Sequence, residues 1–406
     1  MRYYDRIIHY SLWILTLIGL VFIFSGYTVP RLIYYLTYVE DTTYLLQAFK
    51  PFFNLLPMLL IGFAFYYGFI YSDKLEFFFE RRTLGRKILK KLSRIRLGKF
   101  INILVWLTIF LMTIVWLEKF IFGLEVNRWL LGPQKKILIT GLTVLSYYLF
   151  LAYQLAKDRI NWQKVLGISC IYLFLLLMQP DVGTSILLLF SFVTLSFFRF
   201  FNLKKFVYFF YFLTSSIGVL SFFAILNANV KLQLPNLFEG TKFGHVIERI
   251  NNWLDPFRDV TSSSYQLANS LYAVHRGGID GVGFGFGYRK LYMGPTVHTD
   301  FIFATIGEET GFIFAVFIFG VTLVLLLRLL VISFRISNPF EKFFIILVAI
   351  ETFLLSFINA GMAVNLIPSK GWPYPLISYA PFYVVFYIIQ LGIVQFFVQK
   401  RFYEVY

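Results

Sequence analysis

A single carboxylate, Asp300, stands where a long polar segment of the chain meets an apolar run that begins at Phe301. His298 and Thr299 directly precede it. One interpretation is structural, because Thr299 or Asp300 could accept hydrogen bonds from the free backbone N–H groups of a helix's first turn. The other is catalytic, because a carboxylate that faces a cavity at a membrane surface could act as a general base. The residue types alone leave both interpretations open.

Two adjacent carboxylates, Glu308 and Glu309, follow in the same apolar run. Glu308 lies eight residues after Asp300, which is about 12 Å along a helix. Ionisable groups at membrane depth are costly unless they are paired. We therefore expect Arg or Lys partners from another helix and favour a structural role for these two glutamates.

Two further polar stretches interrupt apolar runs. The stretch 179–184 contains Asp181, which could cap the following helix or face the same cavity as Asp300. The stretch 365–379 contains three prolines and a single charge, Lys370. This lysine could extend its ammonium group to the membrane interface, or it could supply the positive charge that binds a phosphate group.

The composition indicates which class of protein must position these residues. Of 406 residues, 59% are hydrophobic and 14% are charged, whereas soluble domains carry about 25% charged residues. The chain is therefore expected to be an integral membrane protein, and its net charge of +16 favours contact with anionic lipid surfaces. The single cysteine, Cys170, excludes a disulfide framework, and the four histidines are too scattered to predict a metal site.

The apolar runs predict an all-α, polytopic membrane protein with about ten transmembrane helices. The predicted spans are 7–29, 52–71, 100–122, 137–156, 164–179, 185–200, 206–226, 301–334, 340–363 and 374–398. Most Lys and Arg residues fall in the loops that lie inside when the N-terminus is inside. This bias predicts that both termini are cytoplasmic.

The chain is predicted to form one transmembrane domain, 1–406, with two notable loops. The cytoplasmic loop 73–99 is strongly basic, which favours contact with lipid headgroups rather than nucleic acid. The large extracytoplasmic loop 227–300, before the eighth helix, is long enough to indicate a function. Its glycines at 281–287 have the wrong spacing for a nucleotide site and indicate a segment with close backbone packing.

Several of these motifs follow the order that is typical of one known family. The chain resembles the SEDS proteins, the FtsW/RodA/SpoVE group of bacterial cell-wall membrane proteins, over nearly its whole length in topology. The resemblance is most specific over 253–311. The matching motifs are Trp253-Leu-Asp-Pro256, Tyr265-Gln-Leu267, Gly277-Gly278, Gly281-Val-Gly283, His298-Thr-Asp-Phe-Ile-Phe303, Gly307-Glu-Glu309 with Gly311, Gln179-Pro-Asp181 with Gly183-Thr184, and Pro368-Ser-Lys-Gly371 with Pro375 and Ile377-Ser-Tyr379. Among them, Tyr265-Gln-Leu267, Ile306-Gly-Glu-Glu309 and Ser369-Lys-Gly371 look more like the division type, FtsW, than the elongation type, RodA.

The resemblance implies a peptidoglycan glycosyltransferase that polymerises lipid II into glycan strands during cell division. It implies an inverting attack of a sugar hydroxyl on an anomeric carbon, with undecaprenyl pyrophosphate as the leaving group. It makes Asp300 the catalytic carboxylate, and the residues assigned to substrate binding are Lys370, Asp181, His298, Thr299 and Ser378. No residue is assigned as a metal ligand, although a divalent cation, Mg or Mn, could stabilise the departing pyrophosphate.

The resemblance also implies partners and a location. The expected partners are a class B penicillin-binding protein, which is a transpeptidase, other membrane proteins of the divisome or elongasome, lipid II and the membrane itself. Nucleic acid is not expected. The implied location is the bacterial cytoplasmic (inner) membrane, at the division septum.

Two departures from the family pattern keep other functions open. Gly141 and Val144 stand where the family has a Glu and a Lys, and Ala380-Pro381 replaces a pair of glycines. The alternatives are an elongation-type (RodA-like) polymerase, a flippase for a lipid-linked precursor, and a non-catalytic scaffold of the division complex. The flippase hypothesis rests on Glu308, Glu309 and Glu351, which the sequence places inside apolar runs.

Overall fold

The computed structural model describes residues 4–38, 45–72, 97–122, 129–131, 137–200, 215, 244–262 and 264–405. Within these residues the chain is an all-α bundle with one short antiparallel sheet, in which β1 (Trp129–Leu130) pairs with β2 (Ile137–Leu138). Seven helices of the described part are long and apolar enough to cross a membrane. The prediction of an all-α, polytopic membrane protein is confirmed.

The described residues form thirteen α-helices. In chain order they are α1 (Arg6–Ile23), α2 (Val29–Tyr38), α3 (Leu45–Ala48), α4 (Lys50–Ile70), α5 (Leu97–Ile121), α6 (Thr140–Leu155), α7 (Trp162–Met178), α8 (Val182–Phe200), α9 (Gly244–Leu254), α10 (Tyr265–Gly277), α11 (Ile302–Arg335), α12 (Pro339–Ala363) and α13 (Pro381–Val405). A π-helical turn, Phe24–Thr28, joins α1 to α2, and two 3-10 turns, Arg289–Leu291 and Gly294–Thr296, precede α11.

The predicted spans agree with these helices except at the start of two. Nine of the ten coincide with a helix of the described chain, while span 206–226, apart from residue 215, and most of the basic loop 73–99 lie outside the described residues. Span 137–156 starts too early, because Ile137 and Leu138 pair as strand β2 and α6 begins at Thr140. The last span needs correction, because α13 begins at Pro381 and not at residue 374. Pro373 and Pro375 lack the N–H groups that a helix interior needs, so the chain runs from α12 to α13 as an irregular loop, 365–380.

The centre of the bundle is formed by α12 and α13 together with the short helix α6. In the most apolar 18-residue stretches of α12 and α13, 72% and 78% of the residues are buried, whereas 28% are buried in that of α4. In α6, the buried hydroxyls of Tyr147 and Tyr148 bond to Ser169 and Ser191 on neighbouring helices, at 2.9 and 3.1 Å. Because buried polar groups need partners, these bonds fix how α7 and α8 pack on α6.

The predicted cytoplasmic end of the bundle is closed by Asp5. Its carboxylate accepts hydrogen bonds from the N–H groups of Ile7 and Ile8, both at 3.1 Å, and so caps α1. The same carboxylate pairs with Arg328 of α11 at 2.6 Å, and the Gln395 amide of α13 bonds to the Asp5 backbone. The first, eleventh and last helices are therefore held together at this end.

Candidate active site

A cavity of about 420 Å³ opens at the end of the bundle opposite Asp5, where four helix ends meet. Part of its wall is formed by Thr140 and Val144 of α6, Asp181 and Thr184 at the start of α8, and residues 380–383 at the start of α13. We call this space the first cavity. It is also lined by Trp129, Leu138, Leu187, Thr299, Asp300, Leu355, Gly371, Trp372, Pro373 and Tyr379.

A second cavity, of about 380 Å³, lies between the outer loop and the loop 365–380. Its lining is more polar and consists of Glu248, Arg249, Asn252, Ser262, Gln266, Leu267, Asp300, Phe301, Ser369, Lys370 and Gly371. Among the residues that the structure describes, only Asp300 and Gly371 line both cavities. The Asp300 carboxylate therefore stands at the boundary between an apolar space and a charged one.

The position of Asp300 is set by contacts from distant parts of the chain. The Asn359 amide donates one hydrogen bond to the Asp300 carbonyl at 3.0 Å and another to the Trp372 carbonyl at 2.6 Å. Asn359 lies twenty residues after Pro339 in α12, or about 30 Å along a helix. That length matches the hydrocarbon thickness of a bilayer, so the predicted orientation, with the N-terminus inside, puts Asp300 at the outer surface of the bilayer.

The start of α11 argues against the capping interpretation of Asp300. The helix begins at Ile302, and Phe301 occupies the N-cap position. The Thr299 hydroxyl donates to the Thr296 carbonyl at 3.3 Å instead of accepting from the helix. Neither Thr299 nor Asp300 thus holds the capping position, and both line the first cavity.

Asp181 both caps α8 and lines the first cavity, the two roles that its sequence position suggested. Its carboxylate accepts hydrogen bonds from the Thr184 N–H at 3.2 Å and the Thr184 hydroxyl at 2.7 Å, which caps α8. The same carboxylate lies 3.5 Å from the Thr140 hydroxyl and lines the first cavity with Asp300. Capping and exposure to the cavity are therefore compatible at this residue.

Lys370 lines the second cavity, and its side chain crosses the start of α8. A Cβ atom at Gly183 would lie 3.3 Å from Lys370 Cε and 2.1 Å from Trp372 Nε1. Glycine at 183 therefore makes room for both side chains. Arg249 of α9 lines the same cavity, which gives this side of Asp300 two cationic groups.

His298 is buried and its ring packs among aromatic residues. Its ring centroid lies 4.7 Å from that of Tyr27 and 5.4 Å from that of Tyr379. Its carbonyl accepts a hydrogen bond from the Tyr379 N–H at 2.8 Å. Burial, and to a smaller extent the nearby Arg31, lowers the pKa of His298 to about 4, so the imidazole is neutral at physiological pH.

Ser378 connects the loop 365–380 to the segment that carries Asp300. Its hydroxyl donates to the Thr299 carbonyl at 2.6 Å and accepts from the Tyr374 N–H at 2.7 Å. Ser378 and His298 are both buried beside the first cavity and are not among its lining residues. Their observed contacts position the backbone around Thr299, and their contact with substrate stays a prediction.

Glu308 and Glu309 have the basic partners that we expected, one on another helix, α10, and one in a 3-10 turn, both within the outer loop. Arg276 of α10 pairs with Glu308 at 2.8 Å, and Lys290 of a 3-10 turn pairs with Glu309 at 2.6 Å. The Ser25 hydroxyl, in the π-helical turn, also donates to Glu309. These ion pairs fasten the outer loop and the first helix to α11, away from both cavities.

The two departures from the family pattern, Gly141 with Val144 and Ala380-Pro381, lie in the wall of the first cavity or next to it. Val144 is fully buried and lines the cavity. A Cβ atom at Gly141 would lie 2.8 Å from a ring carbon of Phe386 and 2.9 Å from the Phe382 carbonyl. The neighbouring helix α13 thus occupies the space that a larger side chain at 141 would need.

Sequence reasoning missed Asn359 and Arg249. Asn359 is a lone amide in an apolar run, and an intramembrane polar residue is a signal for a functional or positioning role. Nothing in the local sequence indicates its partners, which are 59 and 13 residues away. Arg249 was one of several arginines in the outer loop, and only the fold brings it to the cavity.

Comparison with known proteins agrees with the resemblance. A family of cell cycle proteins, FtsW/RodA/SpoVE, matches residues 84–401. The chain is 32% identical over 270 residues to the probable peptidoglycan glycosyltransferase FtsW of Shewanella sediminis, covering 63% of this chain and 61% of that protein. It is 31% identical over 297 residues to the protein of the same name from Wigglesworthia glossinidia brevipalpis, covering 70% and 72%. The match thus spans less than two thirds of the Shewanella protein's length.

Solved structures share the fold along the whole chain. One protein of a peptidoglycan synthase complex superimposes with a TM-score of 0.64 at 21% identity, covering 99% of both chains. The rod shape-determining protein RodA of Thermus thermophilus superimposes with a TM-score of 0.57 at 19% identity, covering 98% of this chain and 97% of that one. With a family match over more than half of its length, the chain belongs to the FtsW/RodA/SpoVE family of multi-pass membrane proteins.

Proposed function

We propose that this protein is a peptidoglycan glycosyltransferase that polymerises lipid II, with Asp300 as the general base. The observation that carries the proposal is the place of Asp300 at the boundary of two cavities. The predicted orientation, which puts this end of the bundle at the outer surface of the bilayer, supports it. A reaction between two lipid-linked sugars needs room for one sugar on each side of the base. The names of the FtsW relatives support the same activity.

The proposed reaction is a single inverting displacement. The Asp300 carboxylate removes the proton from a hydroxyl of the acceptor sugar, and the hydroxyl oxygen attacks the anomeric carbon of the donor sugar. A new glycosidic C–O bond forms as the bond from the anomeric carbon to the pyrophosphate oxygen breaks. The electron pair leaves with the undecaprenyl pyrophosphate.

The two cavities suit different parts of the substrates. In the second cavity, Arg249 and Lys370 can stabilise the negative charge that develops on the departing pyrophosphate. In the first cavity, the Thr140 hydroxyl, the Asp181 carboxylate and the aromatic wall can hold a sugar by hydrogen bonds and ring contacts. We therefore assign the donor pyrophosphate to the second cavity and the acceptor sugar to the first.

A divalent cation, Mg or Mn, is compatible with this arrangement. Within the described residues no three His, Cys, Asp or Glu side chains form a metal-binding group. Mg²⁺ commonly binds through one or two carboxylates with waters and substrate phosphates, and Asp181 and Asp300 line one cavity. When bound, such an ion would neutralise part of the pyrophosphate charge.

We further propose a role in cell division, with a class B penicillin-binding protein as partner in the bacterial inner membrane at the septum. The FtsW names of the relatives support division, and the structural similarity to one protein of a synthase complex supports a partner. The ion pairs of Glu308 and Glu309 favour a structural role for these carboxylates over a transport role.

The test is lipid II polymerisation by the purified protein, alone and with its penicillin-binding partner, for wild type, Asp300→Ala and Asp300→Asn. Asp300→Asn keeps the size of the side chain and removes the base, so we expect a loss of about 10²-fold or more with unchanged thermal stability. Glycan strands formed at the wild-type rate by folded Asp300→Asn would overturn the assignment of the base. No polymerisation by wild type with its partner would overturn the activity.

A further inference from the structure

The cations of the second cavity can balance the charge of only one of the two lipid-linked substrates. Each of the two sugars in the proposed reaction is attached to its lipid through a pyrophosphate, and Arg249 and Lys370 suit the donor's. The first cavity, assigned to the acceptor sugar, is lined by the carboxylates Asp181 and Asp300 and, among the described residues, by no Lys or Arg. A cation for the acceptor's pyrophosphate is therefore expected outside that lining.

Tyr379 joins the wall of the first cavity to a cluster of aromatic rings that carries such a cation. Its ring centroid lies 5.4 Å from that of His298 and 6.4 Å from that of Tyr27. The guanidinium carbon of Arg31, in α2, lies 3.5 Å from the centroid of the Tyr27 ring, which is a cation–π contact. The distance from this guanidinium group to the Tyr379 ring therefore cannot exceed the sum of 3.5 and 6.4 Å.

The start of α4 brings an amide and a second cation to the same tyrosine. The Asn54 amide donates a hydrogen bond to the Tyr379 hydroxyl at 3.3 Å. Lys50 precedes Asn54 by four residues, so both lie on one face of α4, and both side chains are exposed. Their neighbours Phe53 and Leu56 are 62% and 54% exposed, as expected of a surface that faces lipid. Polar groups therefore lead from a lipid-facing surface to the wall of the first cavity.

These groups lie at the level of Asp300. A Cβ atom at Gly26, in the π-helical turn that leads into α2, would lie 3.6 Å from the Cβ of His298, which is two residues before Asp300. The Thr28 hydroxyl of the same turn donates to the Ala48 carbonyl at 3.0 Å, just before α4 begins. The predicted orientation puts this level at the outer surface of the bilayer, where the pyrophosphate of a lipid-linked sugar lies.

We infer that Arg31, Lys50 and Asn54 bind the pyrophosphate of the acceptor substrate. Its sugar then reaches Asp300 past Tyr379, and its polyprenyl chain lies along the apolar surface of α4. The planar guanidinium group can donate two hydrogen bonds to phosphate oxygens, and the ammonium group adds a point charge. The inference rests on the proposed function, because it assigns the acceptor of that reaction.

The test is the equilibrium binding of fluorescent lipid II to the full chain in nanodiscs of phosphatidylcholine. The parent protein carries Asp300→Asn, so that the bound lipids do not react. Arg31→Gln with Lys50→Gln removes the charges of the inferred site, and Arg249→Gln with Lys370→Gln removes those of the second cavity. Lys99→Gln is the matched control, because Lys99 is an exposed lysine near the start of α5, at the predicted cytoplasmic face.

We expect the parent to bind two molecules of lipid II, and each pair of substitutions to weaken one of them by about tenfold or more, because hydrogen bonds to charged groups contribute that much. Lys99→Gln should bind as the parent does, and Arg31→Lys, which keeps the charge, should lose less than Arg31→Gln. Thermal unfolding shows which variants are folded. If one of the two Arg31 and Lys50 substitutions prevents folding, the other alone should still weaken one molecule.

Two results would overturn the inference while leaving the proposed function in place. One is unchanged binding of both lipid II molecules by folded Arg31→Gln with Lys50→Gln. The other is an equal loss of affinity for fluorescent phosphatidylglycerol, which would indicate an unspecific surface for anionic lipids. Absence of lipid II binding by both the parent and wild type would instead overturn the proposed function, and the inference with it.

Discussion

A methyl group at residue 371 should displace the Asp300 carboxylate with little other effect. Gly371 lines both cavities beside Asp300. An alanine Cβ there would lie 2.8 Å from Asp300 Oδ2, whereas ordinary contacts begin at 3.4 Å. The difference, 3.4 − 2.8 = 0.6 Å, is the movement that the carboxylate must make. Gly371 is not among the residues with positive φ, so alanine adds no backbone strain.

The size of the effect follows from how strongly catalysis depends on position. A misplacement of about 1 Å can reduce the rate by 10²-fold, so a shift of about 0.6 Å should lower kcat by about tenfold. The fold should tolerate the change, because the atom that moves is the end of a side chain. We therefore expect Gly371→Ala to lose activity while its thermal unfolding midpoint stays close to that of wild type.

The assay is the initial rate of glycan-strand formation from lipid II, with the penicillin-binding partner present. Gly167→Ala is the matched control, because a Cβ at Gly167 of α7 would meet no atom within 4 Å. Gly371→Ala should also cause no further loss in an Asp300→Asn background, since its effect runs through that carboxylate. A wild-type rate for folded Gly371→Ala would refute the placement of Asp300 or its role as the base.

Three further changes test the architecture around the site. Asn359→Ala leaves two carbonyls without their donor and should cost about 3 kcal/mol of stability. The control, Gln395→Ala, removes a similar buried amide at the other end of the bundle and should cost about as much stability, as measured by thermal unfolding. Only Asn359→Ala should lower the polymerisation rate of the folded fraction. Gly141→Glu, which restores the family residue, should lower the unfolding midpoint because α13 occupies the space, and a midpoint equal to wild type would contradict this packing. The unfolded chain binds a proton on His298 near pH 6.5, but the folded chain binds it only near pH 4, because burial lowers the pKa. Stability should therefore fall as the pH drops from 6.5 to 4. In His298→Asn, the thermal unfolding midpoint should depend less steeply on pH in that window.

The spans and the chemistry-bearing residues were predictable because local properties determine them. Apolar length alone located nine helices of the described chain, and the prolines after residue 372 explain why α13 starts later than the hydropathy suggested. The capping and cavity roles of Asp181 looked like alternatives in the sequence, yet one carboxylate has enough acceptor sites for both. Local patterns thus gave the elements and their functional groups.

Long-range positioning was not predictable from local patterns. The basic partner of Glu308 lies on another helix, as expected, whereas that of Glu309 lies in a 3-10 turn. The sequence did not indicate that both belong to the outer loop, which docks through backbone contacts that glycines permit at 281 and 311. Asn359 was missed because a single amide in an apolar run indicates burial without naming its partners. These contacts depend on packing between segments that are far apart in sequence.

Gly141 and Val144 stand where the family pattern has a Glu and a Lys, in or next to the wall of the first cavity that α6 forms. In this chain α6 still presents a polar group to the first cavity, because the Thr140 hydroxyl lies 3.5 Å from the Asp181 carboxylate. Phe386 of α13 fills the space beside Gly141. In the proposed chemistry, Lys370 and Arg249 line the second cavity, whose described lining contains no residue of α6, and Asp300 precedes α11. Under that proposal, the absence of the Glu and Lys changes one wall of the acceptor site and leaves the proposed base and cations in place.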